Sequence, residues 1–339
     1  MNENSFCTEG VFHMAQHNEI NPDGSFNRQK ALFTAKFGSG KGNLPIEENR
    51  YRLIWAAPCP WSHRAVIARK ILGLDSAISL GKVDPIRPKV DRIDWAFTLD
   101  KGAVDPVLGI QYLSEIYKKT DASYTGRPTV PTLVDVKMKK VVHNNYFILT
   151  NQLATDWVPF HREKAPNLYP ENLQSEIDEL NDIIYDEVNN GVYKCGFSKT
   201  QQAYEKAYDV LFARLEQLDE RLANRRFLFG DFITDADIRL YVTLVRFDVA
   251  YYTVFNANKK RLIDFPHLWG YARDLYATEG FGDTTDFDAI KTHYYMSARL
   301  SPDALAEDVI IPKGPDLSGW HEDPKRAHLS KSKEKFLYD

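Results

Sequence analysis

The stretch Cys59-Pro60-Trp61-Ser62-His63-Arg64 decides how this chain is read, because it stands where an apolar strand hands over to an amphipathic helix. The strand is Tyr51-Arg52-Leu53-Ile54-Trp55-Ala56, dense in the aromatic and branched side chains that suit a pleated surface. The helix begins at Pro60, whose fixed φ and missing N–H suit a first helical position, and runs to Gly73, a natural stop. Cys59 is thereby expected at the positive end of a helix dipole, beside backbone N–H groups that have no intrahelical acceptor. Such a position favours thiolate over thiol and can lower a cysteine pKa from ~8.5 to ~3.5–7.5. The fourth position of the motif is Ser62, so Cys59 has no neighbour with which to close a disulfide. A mixed disulfide on Cys59 would instead be resolved by a second small thiol, which is monothiol chemistry.

Composition narrows the classes. A chain of 339 residues suits two domains with ample buried core. Charge is nearly balanced, with 43 Lys and Arg against 47 Asp and Glu, and no basic block interleaves with aromatics, so no nucleic-acid partner is expected. No apolar run spans a bilayer and no secretory pattern opens the chain, so neither a membrane span nor a leader is expected. Three irregularly spaced cysteines, Cys7, Cys59 and Cys195, fit a reducing compartment, and a cytoplasmic location is expected. Paired Cys/His spacing is missing, so no metal site is expected.

Residues 1–49 read as an N-terminal arm packed across the body through Phe12, Phe26, Phe33 and Phe37. Residues 50–157 read as strand, helix (60–72), strand (77–83), a long excursion (84–128) holding Trp95 and Phe97, then a hairpin and a helix. The hairpin pairs Thr129–Asp135 with Val141-Val142, and its helix is expected from Asn144 to Trp157. The order βαβ, excursion, ββα is a thioredoxin-like α/β arrangement. It implies a cis Val130–Pro131 bond facing Cys59, with the Val130 backbone open to an extended ligand. A linker (158–170) carries Pro159, Pro166 and Pro170. Residues 171–320 then read as an all-α domain. Leu173, Ile177, Leu180, Ile184 and Val188 repeat at helical spacing up to a stop at Asn189-Asn190-Gly191. Tyr204 through Leu222 mark the next helix, and Thr234 with Asp237 forms a capping box, stapled by Ile233 against Ile238. Further helices are expected over Pro266–Ala277 and Asp286–Lys291, and residues 321–339, mostly charged and polar, are expected to form a flexible tail.

A thioredoxin-like domain followed by a helical one resembles the glutathione transferase superfamily. Cys59-Pro60-Trp61-Ser62-His63-Arg64, Asn189-Asn190-Gly191-Val192-Tyr193, Ala236-Asp237-Ile238-Arg239-Leu240, Leu244-Val245-Arg246-Phe247-Asp248, Ile290-Lys291-Thr292-His293-Tyr294-Tyr295 and Ile311-Pro312-Lys313-Gly314-Pro315 together resemble the glutathionyl-hydroquinone reductases, the xi class. The resemblance covers about residues 50–320. It implies that Cys59 attacks the sulfur of a small aromatic thiol conjugate, forms a mixed disulfide and releases the hydroquinone, which needs a proton at the departing carbon. Tyr193, Tyr294 and Tyr295 match the positions implied for that proton. Trp95, Val130, Pro131, Asn145 and Tyr146 match those that hold the thiol. The co-substrate implied is glutathione or another low-molecular-weight thiol, and the assembly implied is a homodimer.

Two adjacent positions depart from the superfamily. Glutathione transferases usually present an acidic residue and a serine after the second hairpin strand, and here Asn145 and Tyr146 align with them. Losing a charge-assisted hydrogen bond costs ~1.5–3 kcal/mol, which opens the choice of thiol. Cys195 is expected to be a small buried filler, with resolution of the Cys59 disulfide as its alternative. His63 is expected to pack or to hydrogen-bond to the opposing domain, not to act as a base. Arg239 and Arg246 are expected in buried interdomain ion pairs with residues such as Asp248. Two other readings stay open: a general monothiol exchange enzyme, and a non-catalytic transferase-like binding module.

Overall fold

The computed structural model describes residues 19–87, 94–299 and 309–338, so Cys7 and Phe12 lie outside the described residues. Strand β1 (Tyr51–Trp55) is buried along its whole length, which explains why it reads as a continuous apolar run and not as an alternating one. It lies at the centre of a sheet ordered β2-β1-β3-β4, parallel to β2 (Ile78–Lys82) and antiparallel to β3 (Thr132–Asp135). Strand β4 (Lys140–His143) closes the edge by antiparallel pairing with β3. The one charged residue of β1, Arg52, is buried against Asp105, with Nη2 to Oδ2 at 2.7 Å. Helix α1 (Pro60–Ile71) connects the two parallel strands.

The structure fills in the excursion and corrects one expectation in this layer. The excursion holds a helix, α2 (Leu113–Thr120), which packs Leu113, Ile116 and Tyr117 into an apolar cluster with Trp95 and Phe97. Helix α3 spans Leu149–Thr155 and does not start at Asn144. The Asn145 Oδ1 accepts the Phe147 N–H at 3.0 Å and the Tyr146 N–H turns back to the Asn144 carbonyl at 3.1 Å, a local turn that competes with helix.

In the helical part, α4 (Gln174–Ile183) runs into a π turn (Ile184–Asn189) and then α5 (Gly191–Phe197). Asn189-Asn190-Gly191 is thus a junction between helical segments and not the stop that was expected. Helix α6 (Gln201–Arg221) is capped by Thr200, whose Oγ1 accepts the Ala203 N–H at 3.2 Å. Helix α7 (Asp235–Arg246) is buried at every position and is opened by the expected capping box of Thr234 and Asp237. That carboxylate accepts the Thr234 N–H (2.8 Å), the Leu228 N–H (3.0 Å) and the Tyr271 hydroxyl (2.8 Å). A second π turn (Phe247–Tyr251) leads into the short α8 (Tyr252–Val254), and α9 (Leu268–Tyr276) and α10 (Phe287–Arg299) follow. One apolar core runs without a break from β1 and α1 into α7 and α10. Among the described residues no helix is long and apolar enough to cross a membrane.

The described part of the arm and the C-terminal segment both pack on this body. In the arm, Phe26 and Phe37 are buried, and Phe33 meets Tyr117 edge-on at 5.6 Å. The C-terminal segment, expected to be flexible, is packed. Trp320 sets its ring against Trp269 at 4.9 Å, Phe336 is buried, and Arg326 donates to the Leu222 carbonyl at 2.9 Å. Lys335 pairs with Asp274 at 2.9 Å while its own carbonyl accepts the Ile233 N–H at 2.8 Å. Long cationic side chains here bury their stems and carry their charge to carbonyls and a carboxylate, so composition alone overstated how solvated they are. Removing residues 318–339 is expected to lower the melting temperature by at least ~5 °C, since two aromatic anchors and a buried guanidinium leave with them. An unchanged thermal transition would show that this segment contributes nothing to the fold.

Candidate active site

Cys59 is the N-cap of α1, extended at φ −79° and ψ 117°, and its side chain is partly exposed. Its thiol points at the Val130 carbonyl, Sγ to O at 3.5 Å, and the Val130–Pro131 bond is cis. Ser62 is not placed to share chemistry with it. The Ser62 Oγ accepts the Ala56 N–H at 3.2 Å and donates to the Ala56 carbonyl at 3.1 Å, closing the loop that leads to Cys59.

The same loop is gripped from the helical layer. Arg246, at the end of α7 and fully buried, donates from Nε to the Pro58 carbonyl (2.7 Å) and from Nη2 to the Ala57 carbonyl (2.9 Å). Its Nη1 donates to the Val242 carbonyl (2.7 Å) and to His63 Nδ1 (3.2 Å). With Nδ1 accepting, His63 carries its proton on Nε2 and donates it to Thr284 Oγ1 at 2.8 Å. Burial and then the Arg246 charge push this imidazole well below its ordinary range, so it stays neutral, and its nitrogens face away from Cys59 chemistry. The expected pairing of Arg246 with Asp248 is not found. Two residues apart on a helical turn, the side chains diverge, and Asp248 instead accepts the Leu262 N–H. Arg239 pairs with Asp235 on its own helix at 2.6 Å and reaches the other layer through the Phe147 carbonyl at 2.7 Å.

The cleft over Cys59 brings together six of the expected residues: Cys59, Trp95, Val130, Tyr146, Tyr193 and Tyr294. Pro131 is buried next to Val130. Tyr295 is buried but is not part of the cleft wall, because it points to a different side of α10 from Tyr294. Asn145 is not part of the wall either, its amide oxygen being held by Phe147.

Tyr193 on α5 and Tyr294 on α10 join hydroxyls at 2.7 Å, and Tyr251 adds a third hydroxyl to Tyr294 at 3.0 Å. Tyr251 stands at the end of the second π turn, a feature that re-aims side chains and leaves no mark in apolar periodicity. Burial raises the pKa of all three phenols, which therefore stay protonated through neutral pH.

Trp95 stacks on His293 with centroids 5.4 Å apart and planes 18° from parallel, and the Arg87 guanidinium lies 4.9 Å from the Trp95 ring. His293 donates from Nδ1 to the Pro85 carbonyl at 2.6 Å, and burial lowers its pKa to about 3. Cys195 is buried in the apolar core, where desolvation lifts its thiol to about 12, so it cannot serve as a resolving thiolate. Sequence reasoning missed Arg28, Gln29, Arg87 and His293, all of which line the cleft. His293 stands in the quoted string Ile290-Lys291-Thr292-His293-Tyr294-Tyr295 without having been given a role, and nothing local marks Arg28, Gln29 or Arg87, which arrive through long-range packing.

Comparison with known proteins fits this geometry. The family model for the glutathione S-transferase C-terminal domain matches residues 201–274. The chain is 36% identical over 326 residues to glutathionyl-hydroquinone reductase YqjG of Escherichia coli (strain K12), covering 91% of this chain and 98% of that protein. This chain belongs to the glutathionyl-hydroquinone reductases. As a member of that xi class of glutathione transferases, it is similar in structure to a glutathione transferase from Gordonia bronchialis DSM 43247 at 47% identity and TM-score 0.83, covering 88% of this chain and 91% of that one. The glutathione S-transferase Xi of Phanerochaete chrysosporium matches at 36% identity and TM-score 0.80, covering 88% and 95%. YqjG has also been solved with glutathione bound, and matches there at 37% identity and TM-score 0.76, covering 85% and 92%.

Two predictions follow from the site's polar framework. Replacing Arg246 by Ala leaves two buried carbonyls ahead of Cys59 without donors, and is expected to cost ~3 kcal/mol in denaturant unfolding. A loss under ~0.5 kcal/mol would show that the grip is dispensable. The second concerns pH. His63, His143 and His293 are all buried and held below the ordinary 6.5, with His143 at about 4. The unfolded chain therefore takes up these protons first as pH falls, so their stabilising effect is complete above pH ~6.5 and drains away below it. Unfolding free energy is expected to drop from pH 6.5 towards 5 by about 1.4 kcal/mol per pH unit for each histidine. A flat profile over that range would contradict buried neutral imidazoles.

Proposed function

We propose that this protein is a thiol-dependent reductase of thiol-conjugated hydroquinones, with Cys59 as its nucleophile. The Cys59 thiolate attacks the thioether sulfur of the conjugate, forming the Cys59–S–S–R bond as the aryl carbon–sulfur bond breaks. The electron pair of the broken bond goes to the ring carbon, which takes a proton from the phenol network and leaves as hydroquinone. A second thiol then attacks the mixed disulfide, releasing R–S–S–R′ and returning Cys59. The ring carbon is reduced and two thiols are oxidised to a disulfide, so no other reductant is needed.

A single observation carries this reading: the Cys59 sulfur shares one cleft with Tyr193 and Tyr294, whose linked hydroxyls keep their protons at neutral pH. General thiol–disulfide exchange makes no use of a proton donor for carbon, so the phenols favour the hydroquinone reaction over that alternative. Trp95, stacked on His293, offers a face for the ring or the thiol, and the Val130 backbone beside the sulfur offers the edge that an extended thiol would pair with. YqjG, named as a glutathionyl-hydroquinone reductase and solved with glutathione bound, supports glutathione or a related thiol as co-substrate. The reading includes a cytoplasmic homodimer, as the cysteine usage and the resemblance imply, and light scattering on the purified chain tests the dimer.

Replacing Cys59 by Ala is expected to abolish turnover with the fold intact, and undiminished turnover would refute the mechanism. Replacing Tyr193 by Phe is expected to reduce kcat for a hydroquinone conjugate by ~10²–10⁴-fold, while reduction of a simple mixed disulfide such as hydroxyethyl disulfide is kept. Equal loss in both assays would assign Tyr193 to packing.

A further inference from the structure

The charge lining the Cys59 cleft is one-sided. Arg28, Arg87 and Arg127 all contribute to its walls, and none of the described residues that line it is Asp or Glu. The carboxylate nearest the arginines belongs to Glu19 on the arm, and it is engaged. Both of its oxygens meet Arg127 at 3.0 Å, and one also accepts the Gln29 N–H at 2.9 Å. Arg87, although burial lowers it to about 9, is still cationic at pH 7.

Arg28 is the most constrained of the three. Its guanidinium carbon sits 4.6 Å from the Trp61 ring and 4.5 Å from the Tyr193 ring, held between two aromatic faces. Its Nε donates to Asn190 Oδ1 at 3.0 Å, which fixes the rotation of the planar fork. Its Nη2 is out of solvent and has no hydrogen-bond partner, and Arg28 makes no ion pair among the described residues. A buried donor without an acceptor, on a rigid fork in a cleft wall, is a place prepared for an oxygen from outside the chain.

The location of this fork gives it meaning. Trp61, on which Arg28 lies, has its ring 4.6 Å from Tyr146, and the Tyr146 hydroxyl is turned to Tyr185 at 3.2 Å. This is the end of the cleft that Tyr146 lines, next in sequence to Asn145, the position where the superfamily pattern has a carboxylate for the ammonium of a γ-glutamyl group and where the amide here is turned out of the wall to Phe147. A cation now stands close to where an anion was expected. An ammonium bound there would face a guanidinium across a short, poorly solvated distance, with the nearest carboxylate, Glu19, already engaged by Arg127.

We propose that Arg28 anchors an oxygen-acceptor group, a carboxylate above all, of the thiol co-substrate, and that this subsite rejects a free primary amine. The thiol this protein prefers is then one whose amine is acylated or missing. The inference rests on the thiol-dependent function proposed above and specifies its co-substrate.

The test compares glutathione with N-acetylglutathione, in which that amine is a neutral acetamide instead of an ammonium. Equilibrium binding is read by calorimetry on full-length Cys59→Ser, and turnover of a hydroquinone conjugate is read on the unaltered enzyme. N-acetylglutathione is expected to bind at least tenfold tighter and to give at least tenfold higher kcat/KM. In Arg28→Gln that ratio is expected to fall towards one, and in Arg28→Lys the preference against the amine is expected to persist with weaker binding overall. Equal or tighter binding of glutathione to the unaltered cleft overturns the inference, as does a ratio that Arg28→Gln leaves unchanged. If the acetylated thiol binds preferentially but no conjugate is reduced with either thiol, the subsite assignment stands and the reductase reading fails.

Discussion

The hold of Arg246 on the Ala57 and Pro58 carbonyls is the interaction on which this molecule's chemistry depends. A guanidinium removed from water is costly unless its donors are met, and here Nε, Nη1 and Nη2 all find acceptors. Those acceptors include the two backbone carbonyls just before Cys59, supplied from a helix nearly 190 residues further along the chain. Cys59 is therefore positioned by both layers at once. His63 follows from the same constraint: with a guanidinium donating to Nδ1, a second proton on the ring would face a like charge, so the imidazole stays neutral and ties α1 to Thr284. A buried cation with this many partners costs little in the folded state, and breaking one side of it exposes the whole desolvation penalty.

Around that fixed sulfur the cleft divides labour by burial. The partly exposed thiol lies at a helix start, while the phenols of Tyr193, Tyr251 and Tyr294 are buried, which raises their pKa and keeps them protonated. One environment suits a nucleophile and the other an acid, a few side chains apart. The two π turns contribute here: the first runs into the Asn190 junction that bonds Arg28, and the second ends at Tyr251.

What could be read in advance was local. Strand, Cys59, Pro60 and helix agree in propensity and capping, so α1 and β1 appear in the structure within a residue or two of the expected bounds. The Thr234–Asp237 box is likewise a short-range pattern, and it was found where it was placed. Tyr193 and Tyr294 were singled out through family resemblance, since eighteen tyrosines give no internal reason to prefer two. The misses are non-local. Arg28 acts through Trp61 and Tyr193, His293 through Trp95 and Pro85, and Tyr251 through a π turn that periodicity cannot register. Asn145 defeated the expected helix start by a side chain–backbone bond, and the C-terminal segment defeated a composition argument by burying charged side chains against carbonyls.

The central claim is that Cys59 takes the thiol group off an aromatic carbon and keeps it as a disulfide. Mixing the anaerobic protein with one equivalent of a thiol-conjugated hydroquinone, with no second thiol present, isolates that step. Intact-mass and peptide mass spectrometry should find the thiol moiety alone, disulfide-linked to the Cys59 peptide, with an equal amount of free hydroquinone in solution. An unmodified Cys59 with the conjugate intact, or a covalent adduct that retains the ring, would contradict the account.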